Sequence, residues 1–156
     1  MKFELLKPES DFENLVEFLE SVSSEFVPPL IERTRVDEFA RRILPPCGFS
    51  YGLTKSKKIV AVGGIELHDS LLGASAFRVL AVARELRGST VAVRLGKHTM
   101  AEFQRNGGTE IWGKTWHTNS LSTRLMTHVG FEFHHELENA RGEGINEVHY
   151  LWKKLE

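Results

Sequence analysis

A chain of 156 residues with 41% hydrophobic and 26% charged residues has the composition of one globular domain, large enough to bury a core without staples. Its 20 Lys and Arg against 21 Asp and Glu give a formal charge of −1, spread along the chain, so no concentrated basic surface calls for a nucleic acid or an anionic membrane. The one cysteine, Cys47, excludes an intrachain disulfide, and the opening Met1-Lys2-Phe3-Glu4 lacks a signal core; with no run of bilayer-spanning length, the expectation is a cytoplasmic protein.

In chain order, residues 3–6 read as a short strand, and Ser10-Asp11-Phe12-Glu13 forms a capping box for a helix. Phe12, Leu15, Val16, Leu19 and Val22 recur at helical spacing and predict one buried face. Pro28-Pro29 ends that helix. Thr34-Arg35-Val36-Asp37 caps a second helix with Val36, Phe39, Ala40 and Ile43 inward, closed by Pro45-Pro46. Three strands follow, at about residues 49–54, 59–68 and 74–83. They are joined by Lys55-Ser56-Lys57-Lys58 and Asp69-Ser70-Leu71-Leu72-Gly73, both short enough for antiparallel hairpins. Gly63-Gly64 inside the middle strand predicts a bulge or a close backbone approach. From Gly88 the period becomes helical, with Val91, Ala92, Leu95, Thr99 and Phe103 on one face up to Gly107-Gly108. A strand at 109–115, a helix at 119–129 and strands at 131–136 and 146–153 complete the chain, and residues 137–145 read as a mobile polar loop. Residues 1–156 thus form a single α+β domain of order β-α-α-β-β-β-α-β-α-β-β, without repeats or linkers.

Two segments carry chemistry. Leu80-Ala81-Val82-Ala83-Arg84-Glu85-Leu86-Arg87-Gly88-Ser89-Thr90-Val91-Ala92 runs from a strand through a small-residue turn into a helix. Such a junction leaves the first helical N–H groups facing outward with the positive end of the helix dipole behind them, a seat for a phosphate or pyrophosphate. Gly88 also fits a plain turn. The second segment, Asn119-Ser120-Leu121-Ser122-Thr123-Arg124-Leu125-Met126-Thr127-His128-Val129-Gly130-Phe131, is a short helix closed by Gly130 and followed by a strand. His68, His117, His134 and His135 lack metal-ligand spacing, so no metal is expected. Trp112 and Trp116 alternate along one strand face and read as core.

In order and spacing these two segments resemble the GNAT superfamily of coenzyme A-dependent N-acyltransferases. There the pyrophosphate loop is commonly Arg/Gln-x-x-Gly-x-Gly/Ala and the second motif is Asn-x-x-Ala-x-x-x-Tyr-x-x-x-Gly-Phe. The resemblance implies an α/β sandwich whose mixed, mostly antiparallel sheet of about seven strands is flanked by four helices. It also implies acetyl-CoA as cosubstrate and direct transfer of its acetyl group, in a ternary complex, to a primary amine of a small molecule or protein. Leu80 and Val82 would pair with the pantetheine arm, and an N–H near Val82 would hold the oxyanion. Arg87, Gly88, Ser89, Thr90, Val91 and Ala92 would wrap the pyrophosphate. Asn119 would either meet the pantetheine or serve only as a helix cap.

Two positions depart from the family pattern. Thr90 stands where the family usually has Gly, its hydroxyl able to replace a close backbone approach, and Met126 stands where many relatives have a proton-donating Tyr. The general base falls to Glu66, beside His68 on one strand, or to His117, each of which also suits a solvent-facing role. The acceptor would lie between residues 24–33 and 137–145. The departures also fit a GNAT-fold protein that has lost catalysis and acts as a structural or interaction module, or a CoA-binding sensor. Residues 112–135 resemble, in addition, the GNAT-like proteins of short-tailed bacteriophages. The family often pairs through sheet edges, so a homodimer is one assembly that the resemblance implies.

Overall fold

The computed structural model describes residues 2–69 and 74–155, which leaves Ser70 to Gly73 of the second expected hairpin turn outside the described residues. The first helix, α1 (Pro8–Ser21), opens two residues ahead of the expected capping box. The fixed φ of Pro8 suits a first helical position, and Asp11 reaches back to accept the Lys7 N–H at 2.7 Å. Ser10 therefore lies inside the helix and not at its cap. Leu15, Phe18 and Leu19 form its buried side. The second capping box is not used either. A single turn, α2 (Leu30–Arg33), is followed by α3 (Val36–Arg42), which starts from Arg35 with no side-chain cap.

Seven strands form one sheet in the order β1-β2-β3-β4-β5-β7-β6. They are β1 (Glu4–Leu5), β2 (Gly48–Lys55), β3 (Lys58–Asp69), β4 (Ala74–Val82), β5 (Glu110–Trp116), β6 (Glu132–Gly142) and β7 (Ile145–Lys153). All neighbours are antiparallel except β4 and β5. Two more helices, α4 (Val91–Arg105) and α5 (Ser120–Val129), follow β4 and β5. Ser56 and Lys57 take positive φ (51° and 64°) in the β2–β3 turn, the backbone that a two-residue hairpin of matching twist requires. The register of β3 against β4 shifts between Gly64 and Ile65, so the Gly pair marks a bulge. It also marks close packing, because a Cβ on Gly64 would lie 2.7 Å from Ser50 Oγ and 2.9 Å from Ile43 Cδ1.

The two sheet faces are covered unequally. Val62 and Val79 pack with Leu15, Leu19, Phe39 and Ile43 beneath α1 and α3. On the other face, α4 lays Val91 and Leu95 on Leu53 and Ala61, and Met100 and Phe103 on Ile65 and Ile111. Strand alternation puts Trp112, Lys114 and Trp116 on the α1–α3 side, where they are only partly buried. The core reading of the two tryptophans is thus corrected. They lie where the sheet extends past those helices.

The stretch 137–145, expected as a loop, is instead the end of β6, a turn at Glu143-Gly144 and the start of β7. Its polar composition has a structural reason. Where the β6–β7 register shifts between Leu137 and Gly142, side chains replace ladder bonds: Asn139 N–H donates to Asn146 Oδ1 (3.1 Å) and Gly144 N–H to Asn139 Oδ1 (2.7 Å). Among the described residues no helix is long and apolar enough to cross a membrane.

Candidate active site

Among the described residues, strands β4 and β5 are paired at three positions, Ser75↔Ile111, Ala76↔Trp112 and Phe77↔Gly113. Beyond Phe77, β4 follows β3 to Val82 while β5 follows β7 to Trp116. The strands part, and a cleft of about 620 Å³ opens between them, a volume typical of ligand pockets. Ala83 N–H donates to Val60 O at 2.7 Å. Successive N–H groups along a strand point to opposite edges, so those of Val82 and Leu80 turn away from β3, toward the cleft.

At one end of the cleft, Arg87, Gly88 and Ser89 make the turn into α4. Gly88 has φ +81°, and nothing lies within 4 Å of where its Cβ would be, so glycine answers a backbone demand there and not a packing one. Thr90 precedes the helix with no side-chain cap. Ser89 Oγ accepts the Val91 N–H at 3.3 Å, and the rest of the first turn is open to an anion. Ala92 lines the cleft, Val91 is buried under β2 and β3, and Thr90 is exposed. Arg87 is engaged: its guanidinium pairs with Glu25 Oε1 at 2.9 Å, and both residues line the cleft. Asn119 caps α5, its Oδ1 accepting the Ser122 N–H at 3.2 Å while Nδ2 donates to Thr115 Oγ1 at 3.2 Å. Met126, also on the wall, packs against the cluster of Met100 and Phe131.

The other end lies on the sheet face past α1 and α3. Lys114 faces His149 across β5 and β7, and His149 faces His135 across β7 and β6, the two imidazoles stacking at 4.3 Å. Glu147 holds this end together. Its Oε1 is 2.8 Å from His149 Nε2 and its Oε2 accepts from Arg141 Nε at 2.7 Å. Arg141 also donates to Val27 O at 3.0 Å and lies over the Trp116 ring at 5.7 Å, so it ties together the two segments expected to wall the acceptor. Burial lowers the His149 pKa below its usual value, against the pull of Glu147 and helped by His135 and Lys114, which favours the neutral imidazole. Burial also lowers Lys114, with Glu147 opposing and Arg78, Arg141 and Arg33 adding to the effect. For Glu147 burial acts upward, but Lys114, Arg141 and its hydrogen bonds hold it below the usual carboxylate value.

The candidate bases read from sequence are placed apart from this cleft. Glu66 is 9% exposed, and its Oε1 accepts from Nε and Nη2 of Arg78 at 3.1 and 3.0 Å. His68 is exposed at a positive φ of 58° in an irregular stretch of β3. His117 Nδ1 accepts the Asn146 N–H at 2.9 Å, which ties the β5–α5 connection to β7. None of the three lines the cleft, whereas His149 does. Sequence reasoning missed His149 and Glu147. Their i, i+2 spacing on an apolar strand was the available signal, and it acquires meaning only when β7 is seen beside the parted β5.

No protein-family model and no curated protein matches the sequence. Solved structures match over nearly its whole length. An aminoglycoside 6'-N-acetyltransferase complexed with coenzyme A superposes with a TM-score of 0.78 at 12% identity, covering 100% of this chain and 98% of that one. A Desulfovibrio desulfuricans protein assigned to the GNAT family of acetyltransferases gives 0.77 at 15% identity, over 97% and 98%. The ribosomal-protein-S18-alanine N-acetyltransferase of Escherichia coli gives 0.74 at 16% identity, over 97% and 94%. With its mixed seven-stranded sheet and parted central strands, the chain has the fold of the GNAT acetyltransferases.

Proposed function

We propose that the protein is an acetyl-CoA-dependent N-acetyltransferase that acts on a primary amine by direct attack. The observation that carries this reading is the parting of β4 from β5, which frees a strand edge beside a helix start whose first turn is largely open, within one cleft. A CoA-bound protein of the same fold supports it. The thioester supplies an acetyl carbon open to nucleophiles and a thiolate of low basicity. The edge N–H groups of Leu80 and Val82 pair with the pantetheine, and that near Val82 receives charge developing on the thioester oxygen. Arg87, Gly88, Ser89, Thr90 and the amides of Val91 and Ala92 take the pyrophosphate, and Asn119 holds the wall beside it.

In this reading His149 takes the proton that the amine loses as its nitrogen bonds the acetyl carbon and the C–S bond breaks. Glu147 accepts Nε2–H and so leaves the Nδ1 lone pair free. His117 has its Nδ1 lone pair engaged by Asn146, and Glu66 is engaged by Arg78; both then act by positioning their partners. Met126 donates no proton, and a thiol with a pKa of about 8.5 leaves without one, His149 later returning the proton. Cys47 as the one cysteine suits a reducing cytoplasm. A second reading, a CoA-binding module without turnover, is favoured by Met126.

A thermal-shift titration with acetyl-CoA, with desulfo-CoA and Arg87→Glu as controls, tests the proposal, because a ligand of the folded state raises its melting temperature. A dose-dependent rise that Arg87→Glu abolishes is expected. No shift at saturating ligand would remove both the enzyme and the CoA-binding module.

A further inference from the structure

The end of the cleft opposite the pyrophosphate turn is cationic. Arg33, Arg78, Lys114 and Arg141 line it, contributed by α2, β4, β5 and β6. Among the described residues two carboxylates stand behind them and both are engaged: Glu66 by Arg78, and Glu147 by Arg141 and His149. Neither lines the cleft. Glu25, which does, is paired with Arg87 at the other end. Arg33 and Lys114 make no hydrogen bond or ion pair among the described residues, although Lys114 is partly buried on the sheet face.

Among the described residues, with Arg78 held by Glu66, the cations Arg33, Lys114 and Arg141 stand against the single carboxylate of Glu147, so the acceptor end carries a surplus of positive charge. A like-charged polyamine entering it meets repulsion, while an anionic group gains charge-assisted hydrogen bonds in a partly desolvated site. From this juxtaposition we infer that the acceptor is a small primary amine carrying an anionic oxygen group, a carboxylate or a phosphate, which docks between Lys114 and Arg33 and presents its amine to the parted strands. The assignment rests on the acetyltransferase reading of the cleft. It sets this protein apart from an enzyme for cationic aminoglycosides, although such an enzyme shares its fold. An anion beside Lys114 opposes burial, which lowers its pKa, and so favours its charged form.

The test compares compounds that differ in the anion alone: 4-aminobutyrate against 4-aminobutanamide for the carboxylate, and O-phosphoethanolamine against ethanolamine for the phosphate, with kanamycin as the polycation. Binding is measured by calorimetry on the full chain, with and without desulfo-CoA, and acetylation is followed separately. At low salt at least one anionic member is expected to bind about tenfold tighter than its neutral partner, the gap narrowing as salt rises. Lys114→Gln and Arg33→Gln should each reduce the gap several-fold, and Lys55→Gln, on the distant β2–β3 hairpin, should leave it intact. Which pair shows the gap names the anion. Equal binding of acids and neutral partners, tighter binding of kanamycin, or a gap indifferent to both variants would overturn the inference. Because binding is read without turnover, an acid preference without acetylation would count against the enzyme and still support the anion site, whereas acetylation of neutral and anionic amines alike would do the reverse.

Discussion

Replacing Glu25 by Gln should weaken the free protein slightly and tighten its hold on coenzyme A, two effects of opposite sign from one ion pair. In the free protein Arg87 Nη2 lies 2.9 Å from Glu25 Oε1, and the two side chains are 36% and 41% exposed. A pair that open to solvent contributes roughly 0.2–1 kcal/mol. A pyrophosphate that takes the Arg87 guanidinium must first displace Glu25, so that same energy is subtracted from binding. Removing it raises affinity by at most roughly fivefold, since about 1.4 kcal/mol corresponds to tenfold. Arg87→Gln removes the phosphate contact itself, worth about 1.5–3 kcal/mol for a hydrogen bond to a charged group, and should weaken binding by roughly ten- to a hundredfold. Calorimetric titration of CoA into the wild type and both variants, at low and high salt, reads all three affinities, and melting curves without ligand read the small loss of stability. Salt should shrink the gain in Glu25→Gln, since the pair is exposed. If Glu25→Gln binds CoA no better than the wild type while Arg87→Gln binds it weakly, then Arg87 keeps its carboxylate partner with ligand in place and the competition argued here is wrong.

Other outcomes follow from the acceptor end and the core. If His149 takes the amine proton, kcat should fall as pH drops through the His149 pKa, which burial holds below the usual imidazole value of 6.5; activity therefore persists somewhat below pH 6.5, and a pH–rate profile locates the limb. His149→Ala should lower kcat by about 10²- to 10⁴-fold with CoA affinity unchanged, and an unaltered profile would remove His149 from the chemistry. Glu147→Gln takes away the group that raises His149, so the acid limb should move to lower pH and the plateau fall. Gly64→Ala forces a methyl to within 2.7 Å of Ser50 Oγ, which is itself held by Ile43 O at 2.6 Å. Overpacking of this kind costs about 1–3 kcal/mol, or about 2–12 °C in melting temperature for a domain of this size; an unchanged melting curve would mean that α3 moves aside without cost.

Local features were legible because they are set by short-range chemistry. The β2–β3 hairpin, the amphipathic run of α4, the positive-φ turn at Gly88 and the Asn119 cap with the Gly130 stop of α5 each depend on residues a few positions apart. Where the reading slipped, two local signals competed. The Ser10 box lost to Pro8, which fits the first helical position, with Asp11 closing back on Lys7. Residues 137–145 looked like a loop because Asn139, Gly142 and Gly144 are turn residues, yet side-chain amides complete the ladder there.

By itself the sequence determined an α+β fold, the order of its elements apart from the single turn of α2, and that a small-residue turn leads into a helix at Gly88, since these follow from periodicity, capping and backbone conformation along the chain. Only the tertiary structure decided that β4 and β5 pair for three residues and then part, because β3 and β7 draw them to opposite sides. It likewise decided that Trp112, Lys114 and Trp116 face a cleft and not a core, since no local pattern says how far α1 and α3 reach across the sheet. Finally, His149 and Glu147 meet Lys114, Arg141 and Arg33 from elements more than a hundred residues apart in part, and burial, a property of the assembled fold, lowers the pKa values of His149, Lys114 and Arg33.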